Sequence, residues 1–393
     1  MDRDAAGLAE VGHRASDRPW DRFAHWPRGA ARLALATLAL LLVLAAIAPG
    51  YGPPPPAPPQ IVVAAPTGQG KVERVEDNDM LLYRLINRRV RAGENYYSAA
   101  ITEQRAHGYP VSPGFTVRLP TLAFAALLLG DRGMIALGIV LFAATMVVMF
   151  RRLGDEPGGA DRAPMAVGLL MAGIGSALSA QFNVLHEIWA AQLLALSLAL
   201  YRPAGATGPS RWRAAWLVAA LALAVRELVL PYVLLMGWLA LRGRNWRQAL
   251  AWLGLAAAFA VALAMHLHLA EAWIRPGDPV SNSWLAVRGM AGLLYKIDNS
   301  TFLNLLPLWL AGPLVVLALF GWAGWDTPLG RIGFLVAGGY ALGFMLFGRD
   351  NNFYWGLLLA PLLFMGAAFA PGALRGLWRG AALFAPPVRI AHV

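Results

Sequence analysis

The chain of 393 residues is 58% hydrophobic and only 14% charged, and it contains no cysteine. That balance excludes a soluble globular domain, and the absence of thiols excludes disulfides and cysteine chemistry. The formal charge of +11 comes largely from arginines in short segments between apolar blocks. Positive residues placed there hold loops on the cytoplasmic side, so a lipid bilayer is the expected partner and nucleic acid is not.

Residues 1–32 are polar and mixed in charge and read as a cytoplasmic tail. The first membrane block is 33–48, with Arg22, Arg28 and Arg32 keeping its start inside. Ala46-Ile47-Ala48 resembles a signal-peptidase site, but the polar region ahead of it is long for a signal peptide, which favours an uncleaved anchor. A proline run at 53–59 forms a stiff spacer. It belongs to a large outer loop, 49–118, whose polar stretch from Asp77 is the longest in the chain. There Leu82, Leu85, Ile86 and Val90 recur at helical spacing with arginines opposite.

Residues 119–129 are apolar over too short a run to span, and read as a re-entrant or interfacial helix. Block 133–150 crosses inward to Arg151-Arg152, block 164–180 goes out, and 188–201 returns to a loop with Arg202, Arg211 and Arg213. Blocks 214–225 and 228–241 lie between basic loops, so an even number of crossings separates them. Arg226-Glu227, with Pro231 beyond, is the only polar break available. Ionisable groups at that depth are costly and usually face a cavity. Block 250–268 leaves again, 305–322 returns, 332–347 goes out to a turn at 349–355, and 356–370 comes back to a cytoplasmic tail, 371–393. The sum is an all-α integral membrane protein with about ten transmembrane helices in a body at 33–370, and a large periplasmic first loop carrying short interfacial helices.

On this topology the polar residues sort by side. Asp77, Asp79, Tyr96, Tyr97, Arg118, His186, Glu187, Arg226, Glu227, Lys296, Asp298, Arg349, Asp350, Asn351 and Tyr354 all fall on the periplasmic face. Carboxylates and arginines beside an apolar cavity suit transfer from a lipid-linked phosphate, which needs a base for the acceptor hydroxyl and cations for the leaving phosphate. Asp79 is the preferred base over Asp77, with Glu187 a further catalytic candidate. Arg84, Arg88 and Arg91 on the same amphipathic segment are expected to keep Asp79 charged. Arg226 or Arg349 is expected on the donor phosphate, with Arg118 at the foot of the loop.

Plain structural readings stand beside these. Asp77 or Asp79 caps the helix that follows, Tyr96-Tyr97 are interfacial aromatics, and His186-Glu187 is an exposed turn. Arg226-Glu227 is a pair with no ligand, and 349–352 is a polar hairpin turn. His266 and His268 point apart on a helix and read as interface residues rather than a metal pair.

Together Asp77-Asn78-Asp79, Gly93 with Tyr96-Tyr97, Arg118-Leu119-Pro120, His186-Glu187 and Arg226-Glu227-Leu228 with Pro231 resemble the motifs of the GT-C superfamily of integral membrane glycosyltransferases. The resemblance covers most of 33–370. It implies inverting transfer of a sugar from a polyprenyl-phosphate donor to a lipid, glycan or protein acceptor of the cell envelope, at the periplasmic face of a bacterial inner membrane. An acid of the first loop would be the base, and Glu227, His186, Tyr96, Tyr97, Lys296 and Asn351 would bind substrate. Some members use a divalent cation, Mg or Mn, and others do not; the spacing of the acids does not decide. Two rival readings are a polysaccharide polymerase or O-antigen-ligase-like enzyme, whose main loop is expected late in the chain, and a flippase or transporter, which needs polar groups near mid-membrane on several helices.

Overall fold

The computed structural model describes residues 22–48, 78–175, 182–202, 211–349 and 352–382. Among them regular structure is helical throughout, apart from two isolated β-bridges pairing Ser112 with Val280 and Leu285 with Phe347. Among the described residues four apolar runs are long enough to cross a bilayer: α1 (Arg28–Ile47), Gly114–Gly154 containing α4 (Thr121–Gly154), α9 (Trp246–Glu271) and α12 (Pro328–Leu346). A fifth arises if α13 (Trp355–Ala367) and α14 (Ala370–Gly380), bent by 55°, form one span. Large apolar side chains stand exposed on these helices, among them Leu33, Val140, Leu250 and Val261. A belt of that kind suits hydrocarbon and not water.

The other apolar helices are short: α5 (Ala163–Ile174), α6 (His186–Leu200), α7 (Trp212–Val225), α8 (Leu230–Arg242) and α11 (Leu308–Gly324). The bundle is built around α13, which is buried from Trp355 to Gly366 and packs on α5, α6 and α11. Small residues permit this. Gly366 lies against the Ala318 carbonyl and Gly321 against the Gly366 carbonyl, where a Cβ on either would collide with backbone.

The apolar run read as separate helices at 119–129 and 133–150 is two helical segments that meet at a break within α4. The bend falls at Gly130, whose φ of 64° and ψ of 178° belong to glycine. α1 starts at Arg28, because Arg32 donates to the Ala381 carbonyl (3.2 Å) and Arg22 grips the Ala323 carbonyl (2.7 Å) and Asp326 (2.9 Å). The stretch after 370 begins as α14, which buries Ala373 and Leu377 and leaves Arg375, Trp378 and Arg379 exposed.

Three polar helices collect at one end of the bundle: α2 (Asn78–Arg91), α3 (Tyr96–Ala106) and α10 (Gly289–Ser300). The loops there are clipped together. Val111 N–H donates to the Pro279 carbonyl (2.8 Å) and Ser281 N–H to the Ser112 carbonyl (2.6 Å).

Candidate functional site

α2 forms as its periodicity predicts, with Leu82, Ile86 and Val90 buried. α3 is started by Asn95, whose side chain accepts from Tyr97 N–H (2.9 Å) and Ser98 N–H (3.4 Å). Arg89 joins the two helices by donating to Glu94 (3.0 Å) and to Glu103. Between these helices and the bundle lies a cleft. α2 contributes Asp79 and Tyr83, α3 contributes Tyr96 and Gln104, the return loop Arg118, and the head of α6 Glu187. Trp284, Arg349, Asn352, Tyr354 and Trp355 close the far side.

The segment carrying Arg118 is held at three consecutive carbonyls. Gln104 Nε2 donates to Thr116 O (3.1 Å), His266 Nε2 to Val117 O (3.1 Å) and the Tyr96 hydroxyl to Arg118 O (2.7 Å). Because a carbonyl only accepts, His266 carries its proton on Nε2, and its Nδ1 accepts from the Tyr97 hydroxyl at 3.2 Å. Arg118 Nε then donates to the Tyr83 hydroxyl at 3.0 Å. Burial raises the Tyr83 pKa above its usual value; Arg118 opposes this, while Asp79 and Glu187 reinforce it. Tyr83 is therefore a neutral partner for the guanidinium.

Arg349 completes the basic side. Its guanidinium lies 5.3 Å from the centroid of the Trp284 ring, and its backbone N–H donates to Asn352 Oδ1 (3.1 Å). Burial, and after it the field of Arg118, lowers the pKa of Arg349. Neither Arg118 nor Arg349 has a salt-bridge partner among the described residues. Two buried donors on this wall, Arg349 Nε and Trp355 Nε1, also lack an acceptor. Buried N–H groups are rarely left so, and here they mark where an acceptor-rich ligand fits. On the α3 side, Gln104 Oε1 and Thr116 Oγ1 are likewise buried without partners.

Of the residues singled out in the sequence, Asp79, Glu187, Arg118, Arg349 and Tyr96 line this cleft. Asp79 stands in the first turn of α2, where unsatisfied N–H groups favour a carboxylate. Others stand behind the wall. Arg226 breaks the chain between α7 and α8, is 1% exposed, and meets Glu187 Oε1 at 2.9 Å and Glu227 on its other side. His186 and Glu187 are buried at the head of α6, not an exposed turn, and the His186 ring packs edge-on to Tyr83 at 5.3 Å. Tyr97 turns to His266, which is itself a buried, hydrogen-bonded residue.

Lys296 is buried elsewhere: its Nζ donates at 3.3 Å to the carbonyls of Gly292, Phe344 and Gly348, tying α10 to the end of α12. Arg84, Arg88 and Arg91 line a separate cleft on another face of α2. The helix period separates them, since 79, 82, 83 and 86 share one face and 84, 87, 88 and 91 another. Asp77, Asp350 and Asn351 lie outside the described residues. Sequence reasoning missed Tyr83 and Gln104, both readable by counting helical turns from Asp79 and Tyr96. It also missed Trp284 and Trp355, for which no signal exists.

Among the described residues no three His, Asp or Glu side chains gather to hold a cation. Comparison of the chain with protein-family profiles, with curated proteins and with solved structures finds no match.

Proposed function

We propose that the chain is an integral membrane glycosyltransferase of GT-C type, moving a sugar from a polyprenyl-phosphate donor to a hydroxyl of an envelope acceptor. The observation that carries this reading is the cleft itself. It brings two carboxylates, Asp79 and Glu187, into one cleft with two guanidiniums, Arg118 and Arg349, that have no ion-pair partner among the described residues. In the proposed arrangement, α1, α4 to α9 and α11 to α13 make ten crossings, and the cleft opens at the periplasmic face of a bacterial inner membrane. The short helices favour a recessed site. At about 1.5 Å per residue, α6, α7 and α8 fall short of the roughly 30 Å hydrocarbon core, so their ends, at Glu187 and Arg226, sit below its surface.

In the reaction, Asp79 takes the proton of the acceptor hydroxyl as its oxygen attacks the anomeric carbon. The bond from that carbon to the phosphate oxygen breaks on the opposite face, which inverts the centre, and polyprenyl phosphate leaves. The charge that develops on its oxygen is met by Arg118 and Arg349, whose planar forks suit phosphate. Gln104 and Thr116 offer polar atoms to sugar hydroxyls. Glu187, held by Arg226, sets the shape of the wall. The test is a lipid extract from a strain lacking the protein, which should accumulate a polyprenyl-phosphate sugar. An unchanged lipid-linked sugar pool overturns the reading, and accumulation confined to the cytoplasmic leaflet replaces it with a flippase.

A further inference from the structure

The second cleft, on the other side of α2, plays no part in that reaction. It encloses about 460 Å³ and is lined by Arg84, Arg88, Arg91, Asp131, Asn183 and Ile135. Among the described residues the lining sets these three arginines beside one carboxylate. Arg91 takes that carboxylate, with Nη1 to Asp131 Oδ2 at 3.2 Å. Arg88, exposed on α2, has no salt-bridge partner among the described residues and leaves the described lining net positive. It also opens beside apolar surface: Leu127, Leu128 and Leu129 precede the bend at Gly130 and are 42%, 82% and 47% exposed. Below the bend, Asp131, Ile135 and Ile139 follow one another at helical spacing down one face of α4, and Ile139 is 49% exposed. Charge therefore stands directly above a hydrocarbon-facing stripe.

We propose that this cleft binds the headgroup of an anionic phospholipid, with the phosphate among Arg84, Arg88 and Arg91 and the acyl chains along the exposed face of α4. The physical reason is the match of two solvents on one ligand. Guanidiniums pair with phosphate oxygens at headgroup level, while the leucines and Ile139 need lipid tails. A soluble anion uses only the first half of that surface. The inference requires the chain to sit in a bilayer, and is independent of the sugar-transfer reading.

The purified full chain in detergent, titrated with phosphatidylglycerol and in parallel with phosphatidylcholine, tests it. Phosphatidylglycerol should bind more tightly. The triple variant Arg84→Gln, Arg88→Gln, Arg91→Gln should weaken that binding by at least about tenfold and leave phosphatidylcholine unchanged, given about fivefold per arginine at an anionic surface. Should the triple variant fail to fold, Arg88→Gln alone changes one exposed side chain and should still lose about fivefold. Unaltered phosphatidylglycerol affinity in the variant that folds overturns the proposal. So does displacement of phosphatidylglycerol by an equal concentration of inorganic phosphate, which reassigns the cleft to a soluble anion.

Discussion

Two arginines in this molecule begin from the same local grammar and end in opposite electrostatic states. Arg118 and Arg226 each precede a proline and a helix, α4 in one case and α8 in the other. Arg226 is sealed between Glu187 and Glu227, so its charge is neutralised by the protein. Arg118 has no ion pair of its own among the described residues: it donates to a neutral phenol, feels Glu187 and Glu227 only through their field, and stands in a cleft with a second such cation, Arg349. The contrast teaches where to look for a ligand. A buried charge clamped in an ion pair holds the structure together, whereas one without an ion pair of its own keeps donors for what binds.

The largest expected effect lies on the uncompensated side. If Asp79 is the base of this cleft, Asp79→Asn should leave a folded, inserted protein that still binds donor, with transfer reduced by about a hundred- to ten-thousand-fold. A purely capping role predicts near silence, because Asn caps almost as well as Asp. Transfer within about twofold of the parent removes Asp79 from the chemistry. On the compensated side the loss should be in stability. Arg226→Gln removes the ion-pair partner of Glu187 and Glu227 and leaves them only the more distant field of Arg118, and breaking a buried pair in this way costs about 3–5 kcal/mol. Thermal unfolding in detergent measures it, and an unshifted midpoint would erase the distinction between the two arginines.

Next come the guanidiniums of the cleft. Arg118→Lys and Arg349→Lys keep the charge and lose the fork, and each should lower transfer by about a hundred- to a thousandfold, as for loss of one preorganised donor, with little change in melting. Normal turnover of both lysine variants would reduce their role to a general field. A finer version concerns the mount. Tyr96→Phe deletes the bond to the Arg118 carbonyl and should cost about 1 kcal/mol of stability. The backbone remains held at Thr116 and Val117, so turnover should fall less than in Arg118→Lys.

Legibility in the sequence follows the same division. Apolar blocks, the amphipathic character of α2 and the break at Arg226 were readable because each is a local pattern with a known period. So was the interruption near Gly130, with a helical segment on either side of it. What one chain segment does to another is not local. Lys296 reads as an outer-face cation, yet three backbone carbonyls absorb its N–H groups. The arginines of α2 read as neighbours of Asp79, and only the face on which α2 packs turns them elsewhere. His266 looked idle beside His268 until α9 brought it against Val117.

The smallest expected effect tests the comparison at its solvent edge, where the same chemistry recurs between Arg105 and Asp278. Asp278 accepts from Arg105 Nε (2.6 Å) and Nη2 (2.8 Å), and from the Arg275 backbone N–H (2.7 Å). These donors, Arg105 first, hold its carboxyl at about 2, against an ordinary value of about 3.9. A depressed folded pKa contributes stability above the unfolded value, and that contribution disappears as pH falls through the folded one. The clip between the two loops should thus be intact at neutral pH, weaken below about pH 4 and be gone near pH 2. Hydrogen exchange at the amides of Val111 and Ser281, which cross the clip, should accelerate over that window relative to amides in α13. Asp278→Asn should exchange faster already at neutral pH, with no further step on acidification. Global melting should move less than for Arg226→Gln, since Arg105 keeps 28% of its side chain exposed and the pair is partly screened. A melting shift as large as that of Arg226→Gln would show that exposure does not separate the two kinds of ion pair, and equal protection in parent and variant would show that Arg105 and Asp278 do not hold the loops.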